Sequence, residues 1–327
     1  LVAMSYVSKA LTELFISLYE PVRMVLSDFL LFLKELPYQM WVPGKPSLLW
    51  LFILYASVLI TLYFIDCNKW QLATAVLIAP ALLFTFRFLI NDELQVTFIN
   101  VGQGDSILIE SPRRKHVLLI DSGGILRFQT DEWKERDAVY EVGRQVVVPY
   151  LKGKGIAKLD TMILTHADAD HVEGAEEIAK EIFIKEIHVS PNSWGEKALD
   201  ELRVEVEKRS IKVVEKMAGI KWTVGETVFS YLSPNDLQYE GNNDSLVLYV
   251  EHGDFTALFT GDLEKDGEID LIRHYGPYIR NITLLKAGHH GSKTSSADEF
   301  VEHTMPTLTI FTAGKDNRYN HPAQEVV

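Results

Sequence analysis

Charge is spread so unevenly along this chain that no single fold type accommodates all of it. Residues 1–90 hold six Lys/Arg, five Asp/Glu and no His, whereas the remainder carries all ten His with 26 Lys/Arg and 40 Asp/Glu. A nearly chargeless stretch and an acidic one bury surface by different rules, so two unlike parts are expected, 1–90 and 91–327.

In the first part, Ser47 to Ile65 runs without a charge. Trp70 to Phe86 is a second apolar run, followed by Arg87 and three more apolar residues. Each approaches the roughly 20 residues that cross a bilayer as a helix. The break Asp66-Cys-Asn-Lys69 makes them a hairpin of transmembrane helices over 47–65 and 70–90. Upstream, Leu11 to Leu36 interleaves Glu13, Glu20, Arg23, Asp28, Lys34 and Glu35 with long apolar side chains. That pattern predicts an amphipathic helix over about 11–36 that lies on the membrane or lines a cavity. The apolar runs are internal and paired, with no small-residue cleavage site after them, which argues against a signal peptide. Burial inside a large soluble protein is the weaker reading, given the flanking Trp50 and Trp70. Lys34 and Lys45 against Lys69 leave almost no positive-inside bias to orient the hairpin.

The start at Leu1 without Met, and the stop at Val327 shortly after His-Pro-Ala-Gln-Glu325, predict a segment cut from a longer protein at both ends. Cys67 is the single cysteine, so an intramolecular disulfide or thiolate cluster is excluded. Any metal must be held by His and carboxylates.

From Leu94 onward short strands alternate with medium helices. Strands are expected over 95–100, 106–110, 116–120, 160–164, 186–189, 211–214, 228–232, 246–250, 255–260 and 283–286, and helices over 139–152, 172–181, 197–209 and 264–274. This order favours layered sheets covered by helices, an α/β fold.

The densest chemistry lies in Thr165-His-Ala-Asp-Ala-Asp-His171, just after the apolar run Met162-Ile163-Leu164. His166, Asp168, Asp170 and His171 fall within six residues, between a strand and a helix. In an extended loop His166 and Asp168 project to one side, while Asp170 and His171 diverge at the helix start. One loop can therefore feed two metals. Imidazole with carboxylate suits zinc, manganese or iron, and the extra Asp makes the site harder and more tolerant of manganese. Downstream, Asp262 follows Phe259-Thr-Gly at a strand end and is the candidate bridging ligand. His289 and His290, in Leu284-Leu-Lys-Ala-Gly-His289-His290-Gly291-Ser292, supply one ligand and one neighbouring contact.

Together, Asn100-Val-Gly-Gln-Gly-Asp-Ser106, Leu119-Ile-Asp-Ser-Gly-Gly124, the His-x-Asp-x-Asp-His run, Asn243-Asp-Ser-Leu-Val-Leu248, Thr260-Gly-Asp262, Gly288-His-His-Gly-Ser292 and Asn320-His-Pro322 resemble the metallo-β-lactamase superfamily. Within it they resemble the C-terminal domain of the ComEC family of competence DNA-uptake proteins, over Leu94 to the end. The resemblance implies an αββα metallo-β-lactamase-like sandwich preceded by transmembrane helices, with the site at one edge of the two sheets. It implies a place in the bacterial cytoplasmic membrane with the hydrolase domain extracytoplasmic, other components of a DNA-uptake machinery as partners, and degradation of the DNA strand that is not transported. In that picture Asp121 orients the ligand loop by hydrogen bonds. Asp168 stands where the superfamily usually has a second His, as is typical of this subgroup. Asn243, Asp244 and Ser245 stand where many members place a third-motif His. Asn and Ser are weak metal ligands, which leaves one cation under-coordinated or completed by Asp244 or water. Gln103 and Asp105 either reach the site or shape a turn.

The expected chemistry is metal-assisted phosphodiester hydrolysis with two divalent ions, Zn or Mn. Asp170 would orient the attacking water, His321 would give the leaving oxygen its proton, and Ser292, Lys293 or Thr294 would contact phosphate. Single-stranded DNA and membrane lipid are the expected partners, and self-association stays open. The hydrolase part carries 26 positive against 40 negative side chains, a net −14. That argues against a general nucleic-acid binder, which would be expected to show a basic face, and weak, channelled delivery of DNA would reconcile the two. Two other readings remain: a membrane-tethered hydrolase of a different phosphoester, and a non-catalytic channel module whose metals only stabilise the fold.

Overall fold

The computed structural model describes residues 9–35, 42–124 and 141–327 and divides into two compact units, Leu1–Val42 and Pro43–Val327. In the first, helix α1 (Lys9–Glu35) carries Pro21 in its interior and an Arg23–Glu20 ion pair one turn apart. Its expected end at Leu36 lies outside the described residues, as does the start of the helix expected from Val139.

The second unit opens on a helical hairpin. Helix α2 (Leu48–Asp66) begins at Ser47, whose hydroxyl accepts from the Trp50 N–H, and helix α3 runs from Trp70 to Thr85. At about 1.5 Å per residue α2 is roughly 28 Å long and α3 roughly 24 Å, against a hydrocarbon core of about 30 Å. Among the described helices α2 alone is long and apolar enough to cross a membrane. The second apolar run therefore does not continue as α-helix to residue 90. Arg87 Nη1 donates to the carbonyls of Phe84 at 2.6 Å and Pro43 at 2.9 Å, and the chain tightens into a 3-10 turn over Arg87–Ile90. The two helices meet through small residues, Ser57, Thr61 and Ala73, with Thr61 Oγ1 donating to the Ser57 carbonyl at 2.7 Å. Leu48, Phe52 and Leu59 face outward. Large side chains outside and small ones between helices invert the soluble pattern. The hairpin belongs to the same compact unit as the sheets, so the boundary at Val42/Pro43 is not the composition boundary near residue 90. Arg114, stacked 5.1 Å over the Phe88 ring, donates to the carbonyls of Lys154 and Gly155, while the Lys45 N–H donates to Gly153 at 2.6 Å.

Two six-stranded sheets form the rest. The first has the order β1 (Gln95–Phe98), β2 (Ile107–Glu110), β3 (Val117–Ile120), β5 (Thr161–Leu164), β7 (Glu186–Val189), β8 (Lys212–Glu215). The second has β14 (Leu308–Ile310), β13 (Leu284–Lys286), β12 (Phe255–Phe259), β11 (Val247–His252), β10 (Thr227–Ser233), β9 (Lys221–Val224), and β4 (Lys158–Leu159) pairs separately with β6 (Phe183–Ile184). Central strands are apolar on both faces, and their two-residue period sorts side chains between layers. Ile107 and Ile109 of β2, Ile120 of β3 and Ile163 of β5 meet Phe229, Leu248 and Phe259 between the sheets. Leu108, Leu119, Met162 and Leu164 turn the other way, towards helices α4 (Val148–Lys154), α6 (Ala175–Glu181) and α7 (Asp200–Arg209). Val247, Tyr249 and Leu258 pack on α8 (Lys265–Tyr275) and α9 (Asp298–Thr304). The result is four layers, αββα.

Strands β3, β5 and β7 run parallel, as do β12, β13 and β14. Their carboxyl ends gather the loops that carry the candidate ligands along one edge, the usual position for a site in such sheets. The helix expected over 172–181 is broken: α5 (Ala169–Val172) ends before Gly174, where a Cβ would lie 2.6 Å from the Ser122 carbonyl and 3.0 Å from Gly143 Cα. Sequence reasoning did not find β4, β6, β9, α9 or β14.

Candidate metal centre

Seven segments end at this edge. Strand β3 ends into Asp121, β5 into Thr165–His171, β12 into Thr260–Asp262, β13 into Ala287–Gly291, and β14 into Thr312. The loop before β2 brings Asp105, and the loop before β11 brings Asn243–Ser245. Gly104 is needed for the approach: its φ is +121°, and a Cβ there would lie 2.2 Å from the Asp170 carbonyl oxygen.

Two buried imidazoles face each other across the centre, with His171 Nε2 and His290 Nε2 3.3 Å apart. Each is held from behind, at Nδ1. Asp121 Oδ2 lies 2.8 Å from His171 Nδ1, and the same carboxylate accepts from the Thr165 N–H and hydroxyl at 2.8 Å each. His290 Nδ1 is 3.2 Å from Thr312 Oγ1 and 3.4 Å from Asp105 Oδ1. Carboxylates on the Nδ1 side fix both ring orientations and leave Nε2 for the centre. There Asp262 Oδ1 stands 3.2 Å from His171 Nε2, while Asp262 Oδ2 and Asp170 Oδ2 each stand 3.3 Å from His290 Nε2.

His166 lies beside His171, with the two ring centroids 4.2 Å apart. Its Nε2, buried and without a hydrogen-bond partner, is 4.0 Å from Asp262 Oδ2 and 3.7 Å from Asp168 Oδ2. The Asp168 side chain is 59% exposed, on the cleft side. His289 Nε2 is 3.8 Å from Asp262 Oδ2, and its Nδ1 is shared by Asn242, Thr294 and Glu264. Of the histidine pair, His290 is buried in the centre and His289 lies at its margin.

One buried lysine shares this space, a residue the sequence reading did not single out. Lys286, 0% exposed, places Nζ 2.5 Å from Asp105 Oδ2, 3.4 Å from Asp262 Oδ1 and 2.6 Å from the Gly261 carbonyl. A lysine inside an otherwise apolar parallel strand was the available signal, since such a group is buried only when paired.

Burial by itself would raise the Asp105 and Asp262 pKa values. Lys286, His290 and His171 outweigh it for Asp105, and His171, His290 and Lys286 for Asp262, so both stay ionised well below the carboxylate range. Burial would lower the His290 pKa, but Asp262, Asp105 and Asp170 push it up to about 10. His171 is raised likewise, by Asp262 and Asp121 against burial. Four buried carboxylates, Asp105, Asp121, Asp170 and Asp262, face a single buried lysine. Converging imidazoles in so negative a site are suited to divalent cations, which would replace protons there. Asp105, His171, Asp262 and His290 offer donor atoms all within 4.8 Å of one another. The donor set thus fits the metal chemistry expected from the sequence.

The remaining candidates lie further out. Ser245 Oγ accepts from the Asp262 N–H at 3.2 Å, and Asn243 Oδ1 accepts from the Glu264 N–H at 3.1 Å; both order the loop. Asp244 Oδ2 accepts from Ser190 Oγ at 2.6 Å. Gln103 Oε1 accepts from the Gly314 N–H at 3.1 Å. Ser292 and Thr294 turn their hydroxyls to each other at 3.1 Å, and Lys293 is exposed. The His321 ring is stacked on Tyr319 and lies 5.7 Å from that of His289. A cleft of about 580 Å³ opens beside the centre, lined among others by His166, Asp168, Asn192, Tyr239 and Asp244.

Residues 99–313 match the description of one protein family. The chain belongs to the metallo-beta-lactamase superfamily. As a superfamily member it resembles competence proteins: over 247 residues it is 36% identical to ComE operon protein 3 of Bacillus subtilis (strain 168), covering 75% of this chain and 31% of that protein. Over 237 residues it is 30% identical to competence protein ComA of Neisseria gonorrhoeae, covering 72% and 29%. These relatives carry the ComEC likeness read from the motifs, and the chain spans less than a third of their length. Among solved structures, the metallo-beta-lactamase fold protein YhfI from Bacillus subtilis aligns with a TM-score of 0.45 at 14% identity, covering 71% of this chain and 91% of that one.

Proposed function

We propose that this chain is a membrane-anchored, metal-dependent phosphodiesterase that cuts DNA during its uptake, acting on the strand that is not transported. The observation that carries the reading is the place of Asp262. Its Oδ2 lies 4.0 Å from His166 Nε2 and 3.3 Å from His290 Nε2, and its Oδ1 lies 3.2 Å from His171 Nε2, so one carboxylate stands among all three imidazoles. One carboxylate so placed would bridge two cations, one held by His166 and Asp168, the other by Asp170, His171 and His290. Two such ions, Zn or Mn, would acidify a water and neutralise the phosphate charge.

The chain's own residues do the rest. Asp121 and Asp105 hold the ring orientations, and Lys286 keeps Asp105 and Asp262 in place. Asp170 orients the attacking water. Burial, then repulsion from His289 and His290, lowers the His321 pKa. Its ring is therefore neutral near pH 7 and serves the leaving oxygen as a hydrogen-bond donor more than as a charged acid. Lys293, exposed beside the hydroxyls of Ser292 and Thr294, is the group available to phosphate. The outward apolar surface of α2 and α3 supports anchoring in the bacterial cytoplasmic membrane, and the competence relatives support partners from a DNA-uptake machinery.

The cleft favours a second reading. Its lining includes Glu196, Glu240, Asp168 and Asp244 but neither Lys nor Arg, which suits a small phosphodiester better than a polyanion. The detergent-solubilised chain with manganese, assayed on single-stranded DNA, duplex DNA, bis(p-nitrophenyl) phosphate and glycerophosphodiesters, separates the two. Cleavage of single-stranded DNA lost in Asp168→Ala supports the nuclease, while turnover of small diesters alone removes it.

A further inference from the structure

The cleft contains a second buried polar atom that hydrogen bonding leaves unused. Besides His166 Nε2 it is Asp244 Oδ1, and both residues line the cleft together with Asp168. Asp244 is only 4% exposed. Its Oδ2 is fixed by the Ser190 hydroxyl at 2.6 Å, and Ser190, itself fully buried, stands directly after β7. That bond sets the rotation of the carboxylate and leaves Oδ1 as the oxygen open to a ligand. A carboxylate oxygen buried without a donor carries a desolvation cost of about 1–3 kcal/mol or more, so a partner is to be looked for. Burial raises the Asp244 pKa, and Ser190, Asn192 and then His166 act to lower it. Asn243 and Ser245, its neighbours, are both occupied with backbone N–H groups. Of these three residues, Asp244 alone keeps a buried carboxylate oxygen without a hydrogen-bond partner.

Resting on the two-cation reading, we propose that Asp244 is the outer ligand of the cation held by His166 and Asp168, completing a subsite of one imidazole and three carboxylates with Asp262. The inner subsite, by contrast, has two imidazoles, His171 and His290, with Asp170 and Asp262. The two positions then differ in hardness. Oxygen-rich donors suit manganese or magnesium, whereas paired imidazoles suit zinc. The outer position also faces the cleft through the exposed Asp168, so its cation exchanges first and is the one that substrate phosphate meets. The inner position fills first and holds its ion when the outer one has emptied.

Equilibrium dialysis of the full chain in detergent against manganese, with metal analysis and electron paramagnetic resonance, tests this without any activity measurement. Wild type should bind two ions with unequal affinity and give the spectrum of a spin-coupled pair. Asp244→Asn should hold one tight ion with an uncoupled spectrum and bind the second at least tenfold more weakly. Asp244→His, which restores an imidazole, should bind two ions and take zinc in preference at the outer position. Two ions bound by Asp244→Asn with wild-type affinity and a coupled spectrum would overturn the assignment while leaving the two-cation centre intact. A single ion in the wild type would overturn both.

Discussion

Replacing Lys286 with Met removes one buried positive charge at nearly constant volume. The ammonium is fully buried and lies 2.5 Å from Asp105 and 3.4 Å from Asp262. Burial pulls its pKa down, but Asp105 and Asp262 more than offset this, so it stays charged. Without it two buried carboxylates lose their permanent cation. Removing one partner of a buried pair costs about 3–5 kcal/mol. For a unit of this size that corresponds to a fall in Tm of roughly 6–10 °C, at about 2 °C per kcal/mol. The loss should depend on metal. In chelator-treated protein it appears in full; with saturating manganese a divalent ion beside Asp262 supplies part of the missing charge and the fall shrinks by at least half. Asp105→Asn in the same chain should recover stability by removing one of the unpaired charges. Thermal unfolding of both variants, with and without manganese, measures each quantity. Equal destabilisation in both conditions, with no recovery from Asp105→Asn, would refute the electrostatic role given to Lys286.

Other consequences come from single contacts. Asp121→Asn loses an acceptor shared by the Thr165 N–H, the Thr165 hydroxyl and His171; manganese affinity should drop about 10–100-fold by calorimetry while the far-ultraviolet spectrum is unchanged. Gly104→Ala forces a Cβ against the Asp170 carbonyl at a left-handed φ; unfolding should show a loss of about 2 kcal/mol or more together with weaker metal binding. Burial raises the Glu268 pKa from 4.5 to about 7, even though its oxygens accept from the Ser296 and Ala297 N–H groups. A raised folded pKa means the native state binds the proton more tightly. This group's contribution, at most about 3 kcal/mol, is therefore complete below pH 4.5 and lost as pH rises through 7. Glu268→Gln should flatten that part of the stability profile between pH 4.5 and 7, and denaturant titrations of the two proteins that stay parallel across this range would contradict it.

The parts of the molecule legible in the sequence were those where local pattern and tertiary demand agree. Strands β2, β3, β5 and β12 are mostly apolar runs bounded by polar turns, and burial on both faces is what such runs require. The His166–His171 loop was legible because its four candidate ligands fall within six residues. Strand β9 was missed because Lys221-Trp-Thr-Val224 is short, polar on one face and recognisable only beside β10. Strand β14 is equally short and exposed at a sheet edge. The break at Gly174 depends on Gly143 and Ser122, which are distant in sequence. Lys286 and Asp105 lie 181 positions apart and explain each other only when β13 and the loop before β2 meet. Similarly, Asp244 stands out from Asn243 and Ser245 only once Ser190 and the backbone N–H groups have claimed the other oxygens.

The central claim, a two-cation centre bridged by Asp262 that hydrolyses DNA, is tested most directly by manganese stoichiometry and single-stranded DNA cleavage measured on the same samples of wild type and Asp262→Asn. The account predicts two ions and cleavage in the wild type, with at most one ion and no cleavage in the variant. Cleavage retained by Asp262→Asn, or a wild type that binds two ions and leaves every phosphodiester intact, would contradict it.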